Sequence, residues 1–345
     1  MLQLFVANPG GDSQFPYAPA RCFTLDSLDN QLQSWVEALR SGDVRSLARA
    51  ISLVENRGQG AYEMLKAVFP HSGKARVIGL TGPPGAGKST LVDQLAHHYR
   101  RAQRTVGIVA VDPTSPYTGG AILGDRIRMQ SHHADPGIYI RSMATRGSLG
   151  GLAHTTADVA TVMDASGRDV ILIETVGVGQ DEVDIVRLAD VTIVILVPGM
   201  GDDVQTMKAG IMEIADIFVI NKSDREGAER VEREILSMQS LAHRADAWTP
   251  PIVKTVASEG TGIAELGAAI EKYEAYLAQD NRLLAKTAHN WETRLTEMLR
   301  DAVLERVVKA RLGDGELARC AAEVAEHKRD PYSLVEEMVE VYTKV

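Results

Sequence analysis

The sequence predicts an α/β fold: a mainly parallel sheet of about seven strands flanked by helices, with helical extensions at both ends. Three observations predict it. Seven short apolar, β-branched runs recur through the middle of the chain, each followed by a longer stretch with helical spacing. Several runs are apolar at consecutive positions rather than alternating, as strands covered on both faces must be. The polar, glycine-rich motifs follow the ends of those runs, where open parallel sheets place their ligands.

Residues 1–25 contain Gly, Pro and Ser without periodicity and read as a poorly ordered lead-in. Residues 26–72 are a helical segment: "SLDNQLQSWVEALRSGD" and "VRSLARAISLVENRG" space apolar residues by three and four and stop at Gly42 and Gly58. The sheet domain, 73–278, then takes its strands from "RVIGLTG" (76–82), "TVGIVAVDP" (105–113), "GIYIRSM" (137–143), "DVILIETVG" (169–177), "DVTIVILVPG" (190–199), "IFVINKSD" (217–224) and "PIVKTVAS" (251–258). Strands separated by helices imply right-handed crossovers and parallel pairing. Residues 279–345 are helical again, with apolar stripes in "NWETRLTEMLRDAVLERVVKARL" and "PYSLVEEMVEVYTKV" that can pack on the sheet domain or on a second subunit.

Composition narrows the class. The chain has 345 residues, 45% apolar and 24% charged, with a net charge of −9. That acidity argues against general nucleic-acid binding, which leaves a basic footprint. No apolar run reaches the ~18 residues of a membrane span. The start of the chain has no basic region before a long apolar one, so the expectation is a cytoplasmic protein. Cys22 and Cys320 stand far apart and outside any metal-spaced cluster, as two reduced thiols do.

"GLTGPPGAGKST" carries a complete G-x-x-x-x-G-K-[ST] pattern between a strand-like and a helix-like run, which makes the fold that of a P-loop NTPase. Gly82, Pro83, Pro84, Gly85, Ala86, Gly87, Lys88, Ser89 and Thr90 form the nucleotide loop. Its backbone N–H groups point at phosphate oxygens, helped by the helix N-terminus. Lys88 reaches the outer phosphates, and the Ser89 hydroxyl ligates Mg2+.

Base choice follows from "NKSD". The Asp224 carboxylate, behind Asn221 and Lys222, can accept hydrogen bonds from guanine N1–H and its exocyclic amine, which adenine cannot supply. Val256, Ala257 and Ser258 in "TVASEGTG" are a looser match to the backbone loop beside the guanine oxygen, with Val256 where Ser is usual. The bound nucleotide is therefore GTP or GDP.

The acidic group after the fourth run is Glu174, where small GTPases place Asp. Val178 stands where they place the Gln that orients the attacking water. Glu174 lies 86 residues after Lys88, wide enough for two more strand–helix units. That architecture resembles the SIMIBI class of P-loop GTPases. Within it, "GPPGAGKST", "VDPTSPYTGGAILGDRIRM", "TRGSLGG", "ILIETVGVGQDE", "PGMGDDVQTMKAGIMEIAD" and "NKSD" occur in order and are similar to the MeaB/ArgK family, which includes the human methylmalonic aciduria type A protein. The resemblance runs from about Leu47 to about Ile270.

The resemblance implies a GTPase chaperone of a cobalamin-dependent acyl-CoA mutase, working with the mutase and, as a second candidate partner, its adenosyltransferase. It implies a homodimer through residues 279–345, no cobalamin site of its own, and no nucleic-acid or membrane partner. Asp112 and Asp125 are candidate Mg2+-shell ligands with Ser89 and Glu174; the bland alternative is a turn residue and a helix cap. The Gly177 N–H is placed to sense the γ-phosphate. Because Val178 cannot guide a water, hydrolysis is expected to be slow alone and completed by a partner. Gln180 and Lys208 are candidate catalytic groups beside Lys88 and Glu174, and Lys208 lies in a glycine-bearing loop. Arg146 is a further cation on a loop after a strand. His97, His98, His132 and His133 read as surface histidines. The competing readings are a nickel-insertion GTPase, which would carry a His-rich tract, and a kinase linked to basic amino-acid transport, which would need a phosphoacceptor site.

Overall fold

The computed structural model describes residues 25–112, 135–144, 151–175, 188–199, 214–241, 247–311 and 315–343. Seven strands form one parallel sheet: β1 (Arg76–Thr81), β2 (Val106–Asp112), β3 (Ile138–Ala144), β4 (Val170–Glu174), β5 (Val191–Leu196), β6 (Ile217–Asn221) and β7 (Ile252–Thr255). Their order is β3-β2-β4-β1-β5-β6-β7, and every neighbouring pair is parallel. All seven apolar runs are strands. β4, β5 and β6 are buried at every position, which is why their sequences could not alternate.

Ten α-helices accompany the sheet among the described residues: α1 (Leu25–Arg40), α2 (Val44–Glu55), α3 (Ala61–Val68), α4 (Lys88–Arg101), α5 (Gly151–Ala165), α6 (Ala228–Leu241), α7 (Ile263–Leu277), α8 (Arg282–Arg311), α9 (Glu316–Ala325) and α10 (Pro331–Thr343). The two faces of the sheet divide by the period of two. Ile78, Leu80, Leu172 and Ile193 pack under Leu91 and Leu95 of α4 and Leu266 and Ile270 of α7. Val109, Ile171 and Ile173 face the other way, onto α5 and α2, while Val194, Phe218 and Ile220 meet α6.

The N-terminal helices share a core with the sheet domain. Leu39, Leu47, Ile51, Val54 and Met64 belong to the same buried cluster as Val109, Met143 and Val162. Asp43 caps α2 by accepting the Ser46 N–H at 2.8 Å. At the other end of α2, Glu55 is ion-paired with Arg141 of β3. The expected lead-in over 1–25 falls almost wholly outside the described residues. Cys320 is a free, buried thiol. No described helix is long and apolar enough to cross a membrane.

The C-terminal part is helical as expected, and its first half is fastened to the sheet domain. Lys286 Nζ of α8 donates to Asp190 O at 2.8 Å and Asp216 Oδ2 at 2.9 Å, bracing the starts of β5 and β6. Trp291 meets Phe69 edge to face at 5.6 Å. Arg294 donates to Asp158 of α5 at 2.5 Å, and His154 of α5 faces Glu297 at 3.5 Å. Burial pushes the Asp158 carboxyl above its ordinary range, while the Arg294 charge opposes that shift.

Arg294→Ala leaves Asp158 without that charge. The expected loss is about 2 kcal/mol, below the fully buried case because the pair keeps 16% and 27% exposure. Without Arg294 the native state holds a proton on Asp158 more tightly than the unfolded chain does. Stability is then lost as the pH rises through the raised value. The deficit should be full at neutral pH and shrink as the pH falls into the carboxylate range, which melting curves at two pH values would check.

Candidate functional site

β1 lies between β4 and β5 where the strand order reverses, so the crevice opens beyond its C-terminal end. The phosphate loop occupies that position. Gly82, Gly85 and Gly87 have φ of +145°, +76° and +90°. Gly82 has a second reason to lack a side chain, because a Cβ there would collide with the Ile195 carbonyl oxygen of β5. Pro83 and Ala86 are buried, whereas Pro84, Gly85 and Thr90 are exposed at the rim.

Lys88, 6% exposed, donates from Nζ to the carbonyl oxygens of Gly82 at 2.8 Å and Pro83 at 3.1 Å. The ammonium is thus held inside the loop it must serve. Ser89 Oγ donates to Glu174 Oε1 at 2.6 Å, and Glu174 is only 4% exposed. The sheet register explains the meeting: Glu174 stands opposite Leu80 of β1 and Ala110 of β2, one strand over from the phosphate loop. A hydroxyl whose proton goes to a carboxylate keeps its lone pairs for a hard cation. With the buried charge beside it, this oxygen donor set fits Mg2+.

The base-side motifs are joined to the phosphate loop. Asn221, 2% exposed, donates from Nδ2 to Ala86 O at 2.8 Å and accepts from Thr255 Oγ1 and the Ala257 N–H, both at 3.1 Å. Its side chain ties the phosphate loop, the end of β6 and the segment around Ala257 together. Lys222, in the left-handed region at φ +55°, lays its chain across the loop and donates to Gly85 O at 2.7 Å. The Ser223 N–H donates to Thr255 O at 3.1 Å, and Asp224 is exposed in the turn that follows. The Val256 N–H donates to Thr261 O at 3.1 Å; Ser258, on the next short turn of helix, is exposed.

Asp112 ends β2 with its backbone paired to Ala144. Its side chain lies outside the described residues, as do Asp125, Arg146, Gly177, Val178, Gln180 and Lys208 in full. His98 corrects the surface reading. It is half-buried between α4 and α7, where a Cβ on Gly267 would collide with its imidazole, because α7 crosses α4 closely there. His97 lies 3.9 Å from Asp93 on the same helix; His132 and His133 are outside the described residues. Thr81, Thr175 and Thr255 were missed by motif reading. The available signal was a threonine closing or directly following each strand-like run beside a motif.

A cavity of about 340 Å³ lies at the opposite, N-terminal end of the central strands β1 and β5, lined by Lys74, Arg76, Asp164, Asp190 and Trp291 among others. It contains none of the motif residues.

The family model described as methylmalonyl Co-A mutase-associated GTPase MeaB matches residues 47–312. A protein of Pyrococcus abyssi, provisionally named as a GTPase, is 50% identical over 301 residues, covering 86% of this chain and 93% of that one. The mitochondrial methylmalonic aciduria type A homolog of Mus musculus is 33% identical over 302 residues, covering 81% and 73%. Among solved structures, an LAO/AO transport system kinase superposes with a TM-score of 0.69 at 27% identity, over 92% of this chain and 99% of that one.

Proposed function

The chain belongs to the MeaB family of methylmalonyl-CoA mutase-associated GTPases, and on that premise we propose that it is a GTP-hydrolysing chaperone of a cobalamin-dependent acyl-CoA mutase. Its nucleotide cycle gates adenosylcobalamin loading and protects or reactivates the mutase. The observation that carries the nucleotide half of this reading is the cross-bracing of the N-K-S-D turn onto the phosphate loop, through Asn221 to Ala86 and Lys222 to Gly85. A base held by Asp224 then has its phosphates delivered to Lys88.

In the proposed cycle, loop N–H groups from Gly82 to Ser89 bind the phosphates, and the Lys88 ammonium moves from the Gly82 and Pro83 carbonyls to the outer phosphates. Ser89 and Glu174 would hold Mg2+, with Asp112 and Asp125 as further ligands, and a bound ion would supply neutralisation of the phosphate charge. Water attacks the γ-phosphorus in line and the bond to the β–γ bridging oxygen breaks, giving GDP and phosphate. Val178 offers the water no hydrogen bond. The missing polar groups come from Gln180 and from Lys208 when the mutase is bound.

Lys208→Ala is expected to keep GTP affinity and basal turnover and to lose most of the stimulation by the mutase. Equal stimulation of variant and wild type would leave Lys208 with no part in the cycle.

The middle of α8 supports a homodimer. Leu295, Leu299 and Val303 recur every four residues and are 57%, 65% and 48% exposed. Because Lys286 and Arg294 fasten the first half of α8 to the sheet domain, charge on this stripe is a cleaner test than truncation. Leu295→Glu with Leu299→Glu should give a GTP-binding monomer in light scattering; a surviving dimer would move the interface elsewhere.

The reading as a whole is tested by incubating the purified chain with GTP or ATP and then passing it over a sizing column with a cobalamin mutase. GTP turnover and co-elution are expected. ATP turnover, or separate elution in every nucleotide state, would overturn it.

A further inference from the structure

Two buried threonines beside the site have no part in the phosphate, base or metal roles above. Thr81 is the last residue of β1, and Thr175 follows the last residue of β4. They are 0% and 3% exposed. Thr175 donates from Oγ1 to Thr81 Oγ1 at 3.1 Å, with Leu80 O at 3.4 Å as a second acceptor, and its N–H donates to Leu80 O at 3.2 Å. Valine would fill the same volume with no hydroxyl to desolvate, so two hydroxyls buried here are explained by the bond they make.

That bond spans a particular place. Thr81 directly precedes Gly82, the first residue of the phosphate loop; Thr175 directly follows Glu174 and lies two residues before Gly177. On the far side of Gly82 the Ile195 carbonyl of β5 leaves no space. The start of the loop is therefore fixed laterally, by backbone contact toward β5 and by a hydroxyl pair toward β4. Glu174 lies next to that pair and meets Ser89 across it at 2.6 Å.

We propose that Thr175 is a positioning residue. Its hydroxyl tie to Thr81 sets the offset between the phosphate loop and the strand end that carries Glu174, so that hydrolysis, more than nucleotide binding, depends on it. The inference rests on the GTPase reading and deepens it.

Three variants of the full chain test it, with GTP affinity, single-turnover hydrolysis and melting temperature as readouts. Thr175→Val should keep GTP affinity in EDTA within about twofold and slow Mg2+-dependent hydrolysis about tenfold, the size of effect expected from a small misplacement of reacting groups. Thr175→Ser, which restores the hydroxyl, should recover the rate. The double variant Thr81→Val with Thr175→Val removes both hydroxyls and leaves neither orphaned, so its melting temperature should return to within about 2 °C of wild type. Its hydrolysis should stay slow. A double variant that hydrolyses GTP at the wild-type rate would overturn the proposal, as would losses of rate that merely track melting temperature. A wild-type chain with no GTP turnover would sink the GTPase reading and leave the tie to be judged by Mg2+. The double variant should then lose the gain in GTP affinity that Mg2+ gives wild type, and an unchanged gain would refute the tie.

Discussion

Asp224→Asn is expected to weaken GTP binding about 10- to 100-fold and to improve binding of xanthosine triphosphate. The substitution keeps the volume and turns an acceptor into a donor facing guanine N1–H. A polar mismatch of this kind costs about 1–3 kcal/mol. Xanthine carries a carbonyl where guanine has its exocyclic amine, so the new amide gains a partner there. The turn should survive the change. Its backbone is held by the Ser223 N–H on Thr255 O at 3.1 Å and the Arg225 N–H on Lys222 O at 3.0 Å, neither of which uses the Asp224 side chain. Binding constants for the two nucleotides check the prediction. An unchanged preference for GTP would remove the base-site assignment while leaving the phosphate loop intact.

Glu174→Gln is expected to lower Mg2+-dependent GTP hydrolysis by about 100-fold or more, the scale on which single electrostatic groups act in preorganised sites. Gln keeps the volume and an acceptor for the Ser89 hydroxyl, so the 2.6 Å contact can persist. What disappears is a negative charge at 4% exposure, the charge that makes this pocket attractive to a divalent cation. Removing a buried charge also removes its desolvation cost, so the melting temperature should hold or rise. Slow hydrolysis in a stable protein, with nucleotide affinity in EDTA unchanged, is the expected combination. Full turnover at ordinary Mg2+ would take Glu174 out of the metal site.

Much of the sheet was legible because its chemistry is local. "ILI" and "IVIL" are apolar at successive positions, and short β-branched runs of that kind suit a strand covered on both faces. The phosphate loop was legible because Gly82, Gly85 and Gly87 adopt backbone angles that other residues rarely take. Cross-chain consequences were harder to see. Asn221 reads as one member of a base-recognition motif, yet its side chain is spent on Ala86, Thr255 and Ala257, groups up to 135 positions away. The threonine tie has the same character, since nothing near Thr81 in sequence announces Thr175. The N-terminal helices looked separate because their stripe is complete in itself. Only the fold shows that Ile51 and Met64 bury against Val109 and Val162. His98 misled for a related reason: a polar residue on an amphipathic helix reads as solvent-facing until a glycine on a neighbouring helix lets it in.

The central claim, a GTPase whose slow hydrolysis is completed by a cobalamin mutase, is tested most directly by GTP turnover of the purified chain titrated with the purified mutase. The account predicts a low rate alone, a saturable rise as the mutase is added, and no such rise with an unrelated cobalamin enzyme. A rate that is unchanged at saturating mutase, with complex formation verified in the same sample, would contradict it.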